Sequence, residues 1–395
     1  MRTRLAWCFL ILCAGWYCYD TILTQLPQDT NSDFRGYYLA ARHVLHGESP
    51  FLVEGYLYPP LLALSMAPLG TLGYLTARWV WFVFSHGCLL WAAWLVYRYL
   101  GRGLRAACSV ALVWAGGRAA GDALGLGQLG PELALLLAIA YTAADWSQGA
   151  SLGLGIALKL LPGPCAIGLA MARRWRALCV AVLCSLLLGT LSWVFASLAL
   201  AGPKAPQADF LAGTPAVLSW SLPSVALRIM DPPAPGRGLP WANAFKLQAL
   251  NLPPAARRVG FGVAAATFLA GVGALLAVTM GRVSRDRLPL AMASLTTLTL
   301  VAAPVSWTHY QVMQFPGLAL YAGGLALRGA WKRMAWALLC AAFLYPVPVT
   351  VLRLMAAANG GVWPNTPVAN YFWISTAPVA GLVLYGLMLA EIARS

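Results

Sequence analysis

Apolar runs of about eighteen or more residues recur along this chain, and that recurrence leaves few folds open. Each run is long enough to cross a roughly 30 Å hydrocarbon layer as a helix. Backbone polar groups inside lipid must be satisfied within their own segment, so spans of this composition are helical. Sixty per cent of the 395 residues are hydrophobic, and the mean hydropathy is +0.70. The chain therefore reads as an all-α integral membrane protein that crosses many times. Its net charge of +15 resembles a nucleic-acid signal. Most Lys and Arg, however, lie in short segments beside apolar runs, where they set topology, so membrane lipids are expected as partners and nucleic acid is not.

Residues 5–23 follow Arg2 and Arg4 and lack a small-x-small cleavage site, so they read as a retained first helix rather than a signal peptide. Further basic clusters stand at Arg98/Arg102/Arg105, Arg173/Arg174/Arg176, Arg282/Arg285/Arg287, Arg328/Lys332/Arg333 and Arg394. Placing all of them on the cytoplasmic side demands an even number of crossings between successive clusters. Spans near 76–97, 106–121, 131–146, 178–200, 259–280, 288–305, 310–327, 334–355 and 373–391 meet that demand. Residues 151–171 do not, because one more crossing would put Arg173–Arg176 outside. Lys159 and Pro162 divide that stretch into two pieces of about ten residues, each about 15 Å long and too short to cross. The expectation is about ten full spans plus a re-entrant hairpin. The proline-broken run 58–73 is read as a juxtamembrane helix on the outer face.

One membrane domain, 1–395, then carries two long outer loops, 24–75 and 201–257. The second is rich in Pro and Trp, with Trp220 and Trp241 suited to a headgroup-level wall or a sugar-stacking face. The nine cysteines all fall in apolar segments and show no disulfide or metal spacing. No His/Cys cluster appears, so neither a cofactor nor a metal is demanded.

Charge concentrates in the first loop. Between Asp29 and Leu69 lie four of the twelve acids (Asp29, Asp33, Glu48, Glu54) and two of the four histidines (His43, His46). Ser32 as N-cap, an amphipathic body and Gly47 as terminator predict a surface helix from Asp33 to His46. Arg35, Arg42, His43 and His46 would line its polar side. Asp33 in the first turn also has a plain explanation, since the helix dipole favours an acid there. Gln128 sits in a Gly-rich outer turn beside Asp122 and Glu132, suited to sugar hydroxyls or simply to a turn. Lys159 in an apolar run is costly unless paired or at a hairpin tip. Lys159 and Arg118 are the cations that look intramembrane.

Asp33-x-x-x-Tyr37-Tyr38, then Gly47-Glu48-Ser49-Pro50-Phe51 and Tyr58-Pro59-Pro60, resembles the first outer loop of glycosyltransferase family 87. Three later stretches agree in order: GLGQLGPELALLLAIA at 125–140, GLGIALKLLPGPCAIGLAMARRWRA at 153–177 and APVSWTHYQVMQFP at 303–316. The resemblance implies a polytopic C-type glycosyltransferase fold. It also implies a polyprenyl-phosphate hexose donor, mannose foremost, and a lipid or glycan hydroxyl acceptor, at the outer face of a bacterial inner membrane. It makes Asp33 the general base and puts His309 on a motif histidine. Attack opposite the phosphate inverts the anomeric centre, and one carboxylate suffices for that. The leaving phosphate requires cations or aligned donors, for which Arg35, Arg42, His43, His46, Arg228, Arg257 and Arg258 are candidates. The rival reading is a lipid or sugar transporter without covalent chemistry. Such proteins carry mid-membrane ionisable groups on broken helices, whereas here the acids crowd an outer loop. A third, an accessory subunit, keeps the fold without the activity.

Overall fold

The computed structural model describes residues 2–27, 32–54, 56–205, 219, 221–230, 254–304, 306–360 and 374–394. Among these, the regular structure is helical, and the two β-bridges, Glu48 with Ala201 and Ser219 with Trp307, are isolated. Helix α1 (Arg2–Tyr17) runs on through a π turn at Cys18–Ile22. Helices α2 (Asp33–Leu45) and α3 (Pro60–Gly70) pack together before α4 (Tyr74–Tyr99), whose 26 residues extend about 39 Å. Then come α5 (Leu104–Gly116), α6 (Ala119–Leu126), α7 (Gly130–Thr142), α8 (Asp145–Leu158), α9 (Cys165–Met171) and α10 (Trp175–Ala199). The second half holds α11 (Leu222–Met230), α12 (Pro254–Thr279), α13 (Leu288–Ala302), α14 (Phe315–Leu327), α15 (Trp331–Leu344), α16 (Pro346–Ala358) and α17 (Ile374–Ala393).

Six stretches among the described residues are long and apolar enough to span a bilayer: Thr3–Gln25, Tyr74–Tyr99, Trp175–Ala199, Pro254–Thr279, Trp331–Ala358 and Ser375–Ala393. Several expected spans are shorter or divided. The run 106–121 breaks at Gly116–Gly117 into α5 and α6, and 310–327 becomes a 3₁₀ segment (Thr308–Gln314) followed by the 13-residue α14. The run 334–355 divides at Tyr345 before Pro346. Proline at the first turn of α7, α13, α14 and α16 delays each helix start. Ahead of α7 and α14, the residues released from helix build polar turns.

The hairpin at 151–171 has a clear physical form. Helix α8 stops at Lys159, which is extended (φ −160°, ψ 126°), and Pro162 and Pro164 prevent the helix from resuming. Helix α9 returns, and Arg174 Nη2 donates to Asp145 Oδ1 at 2.8 Å, closing the foot. Basic residues gather at that same end of the bundle. The Val283 amide donates to the Met171 carbonyl at 3.2 Å, and Arg105 lies 5.9 Å from the Trp331 ring. Buried Glu391 takes Arg328 at 2.7 Å and Arg333 at 2.5 Å, while its carbonyl accepts from Arg287 at 2.6 Å.

How high Lys159 stands depends on one close helix contact. Gly149 and Gly153 of α8 face Ala177 and Ala181 of α10, and a Cβ on either glycine would lie 2.3 or 2.6 Å from those backbone oxygens. Lipid tails are as apolar as leucine, so helices in a membrane gain by close packing through small residues. Widening this contact pushes α8 aside and carries Lys159 with it. Gly153→Val is expected to destabilise the protein by about 1–3 kcal/mol and to reduce turnover. A thermal melt in detergent equal to the wild type would contradict the contact's role.

Candidate active site

Helix α2 brings Asp33 to the end of the bundle opposite the basic clusters. Ser32 has the extended geometry of an N-cap but makes no side-chain cap bond; its hydroxyl lies 3.2 Å from that of Tyr74 instead. Gly47 terminates the helical segment with φ +75°, as its position predicts. Four residues after Asp33, and so on the same helix face, comes buried Tyr37.

The GLGQLG turn meets that face. Helix α6 closes on Gly127 in the left-handed region (φ 69°), and the Gln128 amide returns to the Ala123 carbonyl at 2.8 Å, satisfying groups the helix end leaves free. A Cβ at Gly127 would fall 2.6 Å from Phe34 Cβ and 2.7 Å from Arg78 Nη1, so the approach to α2 requires glycine. Gln128 is buried at 5% exposure, and its Nε2 donates to Asp33 Oδ2. The hydroxyls of Tyr37 and Tyr58 lie 2.8 Å apart and 2.8 and 3.1 Å from Gln128 Oε1. Each phenol has one proton to give, and the amide oxygen stands within accepting distance of both. That donation orients the amide and directs its NH₂ at the carboxylate.

Lys159 enters from the hairpin tip. Its Nζ donates to the Tyr58 hydroxyl at 3.3 Å and stands 3.4 Å from the Tyr310 ring centroid. His309, in the 3₁₀ segment after α13, is 6% exposed, and its Nε2 has no hydrogen-bond partner. That segment packs against Gly130, where a Cβ would strike Val312 at 2.5 Å. It is tied to the second outer loop by the Ser306 amide donating to Ser219 Oγ at 3.1 Å.

Asp33 keeps substantial accessible surface, yet desolvation raises its carboxyl above the ordinary range. The two observations agree if it lines a recess, enclosed by protein but open to an entering molecule. The Gln128 amide and the Lys159 charge act the other way and favour the carboxylate. Desolvation pushes Lys159 well below the usual lysine range, with Asp33 opposing. His309 is pushed down by desolvation first and by Lys159 second, so its imidazole is neutral at pH 7.

The structure thus joins Asp33, Gln128, Lys159 and His309, which the sequence points to separately. Arg35 is exposed two residues from Asp33. Other candidates lie elsewhere. Arg42 is exposed toward the far end of α2. His43 is engaged by Glu48 at 2.5 Å at the far end of α2, about 15 Å along the axis from Asp33, and His46 is exposed beyond it. Asp122 turns away to Arg353 at 3.7 Å, near Arg118 and Asp20, which pair at 3.4 Å. The side chains of Arg228 and Arg257, and all of Trp220 and Trp241, lie outside the described residues. The tyrosines 37, 58 and 310 were missed as site residues. The four-residue step from Asp33 to Tyr37 was the available signal for the first.

These features define a polytopic helical membrane protein with an acid, an amide, an amine and an imidazole converging at one end of its bundle. The chain belongs to glycosyltransferase family 87, whose model matches residues 56–307, and it is accordingly a membrane glycosyltransferase. The match includes Tyr58, Gln128 and Lys159 and stops short of Asp33 and His309, which stand on geometry. Among solved structures the chain is similar to ArnT from Cupriavidus metallidurans. It is 15% identical to the form bound to undecaprenyl phosphate, with a TM-score of 0.46, covering 100% of this chain and 78% of that one. For the apo state the values are 13%, 0.43, 99% and 78%.

Because the Gln128 amide stabilises the charged form of Asp33, Gln128→Leu should raise the carboxyl pKa further. Activity that requires the carboxylate is lost as pH falls through that pKa. The acidic limb of kcat/KM against pH should therefore move to higher pH in the variant. An unmoved limb would assign the titration to another group.

Proposed function

We propose that this protein transfers a hexose, with mannose the expected sugar, from a polyprenyl-phosphate donor to a hydroxyl of a lipid or glycan acceptor, inverting the anomeric centre. The single observation that carries this reading is a convergence: an accessible carboxylate, Asp33, lies within electrostatic reach of the Lys159 amine, which in turn neighbours the unpartnered His309 nitrogen, at the bundle end remote from the basic clusters. By the positive-inside rule that end is external, which fits a bacterial inner membrane with a lipid-linked rather than a nucleotide-linked donor.

In this reading Asp33 accepts the acceptor hydroxyl's proton as its oxygen bonds to the anomeric carbon. The bond from that carbon to the phosphate oxygen breaks, and its electron pair leaves on the polyprenyl phosphate. Lys159 stabilises the departing charge; an anionic phosphate beside it restores the proton that desolvation disfavours. Neutral His309 donates one hydrogen bond to the phosphate or the acceptor. Gln128 holds Asp33 ionised. The leaving group is already anionic, so no second carboxylate acid is required, unlike in glycoside hydrolysis. The reading calls for no metal.

The test is a product assay with radiolabelled polyprenyl-phosphate mannose and native lipid extract. Wild type should form a new glycolipid, and Asp33→Asn should lose about 10²- to 10⁴-fold in kcat. Full turnover by Asp33→Asn would remove the base assignment. Sugar moved across vesicles with no new glycosidic bond would return the transporter reading.

A further inference from the structure

Arg78 is a large charged side chain one turn into α4, and it is 2% exposed. A cation buried that fully is rare and faces a partner in the bundle. Arg78 makes no ion pair among the described residues. Its Nη2 donates instead to the carbonyls of Leu124, at 2.9 Å, and Gly125. These are carbonyls at the C-terminal end of α6, where the helix dipole favours a cation; the Leu124 oxygen also accepts the Gly127 amide at 3.0 Å.

The guanidinium also touches the other side of the site. Its carbon lies 5.4 Å from the ring centroid of Phe34, the fully buried neighbour of Asp33. One helical turn along α4, Trp81 Nε1 donates to the Gly127 carbonyl at 3.0 Å, and its ring stacks 6.3 Å from that of Phe34. Arg78 and Trp81 thus hold three carbonyls of the turn, at 124, 125 and 127, against the residue that follows Asp33 in the chain. Gln128 comes immediately after.

We infer that Arg78, with Trp81, is a positioning residue for the transferase reaction: it clamps the GLGQLG turn onto α2 so that the Gln128 amide meets the Asp33 carboxylate. It acts through Gln128 and Phe34 and does not touch substrate. A carboxylate partner for Arg78 would neutralise it locally but hold nothing. Spending its donors on a helix end and a glycine turn gives the turn a fixed place in a bundle where a mobile one would leave buried carbonyls unpaired. Lysine at 78 keeps the charge but replaces the planar guanidinium, whose Nη2 gives to both carbonyls while its carbon lies over the Phe34 ring, with a flexible ammonium.

This inference rests on the proposed transferase reading, and the test separates the two. Full-length wild type, Arg78→Met, Arg78→Lys, Trp81→Phe, Gln128→Leu and the Arg78→Met/Gln128→Leu double variant are compared in nanodiscs with polyprenyl-phosphate mannose. Arg78→Met should lower kcat about 10- to 100-fold, the scale of a small misplacement, with donor KM nearly unchanged. Arg78→Lys should recover part of that loss. With Gln128 already replaced, Arg78→Met should cost less than about twofold more, because both changes disable one unit. Hydrogen exchange gives a readout independent of activity: amides at 124–129 should lose protection in Arg78→Met while those of α10 do not. Should Arg78→Met fail to fold, Trp81→Phe, Gln128→Leu and the Trp81→Phe/Gln128→Leu double variant decide by the same non-additivity. Full kcat in Arg78→Met, a loss that simply multiplies that of Gln128→Leu, or unchanged exchange at 124–129 overturns the inference. Wild type that makes no glycoside while the exchange pattern holds would overturn the reaction and leave the clamp standing.

Discussion

A single amide orders the polar end of this protein. Gln128 receives donation at its oxygen from the Tyr37 and Tyr58 pair and gives its NH₂ to Asp33. Buried polar groups are stabilising only when their partners are complete, and a half-satisfied network is worse than none. The openings that remain are the accessible edge of Asp33 and the free nitrogen of His309, the two places where an entering molecule would complete the set.

The bundle's packing serves that arrangement. Glycines at 127, 130, 149 and 153 stand where a single added carbon would meet a neighbour at 2.7 Å or less. Each lets one segment close on another: the Gln128 turn on α2, the His309 segment on α7, and α8 on α10. Proline then sets where the helices start or stop, so Lys159 ends a helix instead of continuing one. Side chains from four stretches far apart in the chain meet because these small residues allow close approach.

Much of this was legible beforehand, for reasons that can be named. Helical class follows from apolar runs in lipid, and the hairpin follows from Lys159 and Pro162 interrupting a run that charge placement forbade from crossing. Asp33 and Gly47 bracket a helix by ordinary end rules. Other features were not legible. Arg78 reads as one more cation near a helix end, since its partners are backbone carbonyls 46 and 47 residues away in sequence, and carbonyls leave no mark on composition. The polar stripe of Arg42, His43 and His46 misled because a helix face shows where a side chain points, not how far along the axis the reacting group lies. Asp122 misled by adjacency. It is six residues from Gln128, yet the intervening helix turns it toward Arg353. Helix boundaries were hidden for a related reason: hydropathy does not register that Pro346 or Gly117 divides a run.

The central claim is that a proton acceptor and a phosphate-holding cation share one external recess. The most direct measurement is a density map of the full-length protein with a polyprenyl-phosphate sugar bound to the Asp33→Asn variant. The account predicts the phosphate within about 3 Å of Lys159 Nζ or His309 Nε2, with the anomeric carbon between it and position 33. A phosphate seated instead at the Arg42–His46 end of α2, or at the basic end of the bundle, would contradict it.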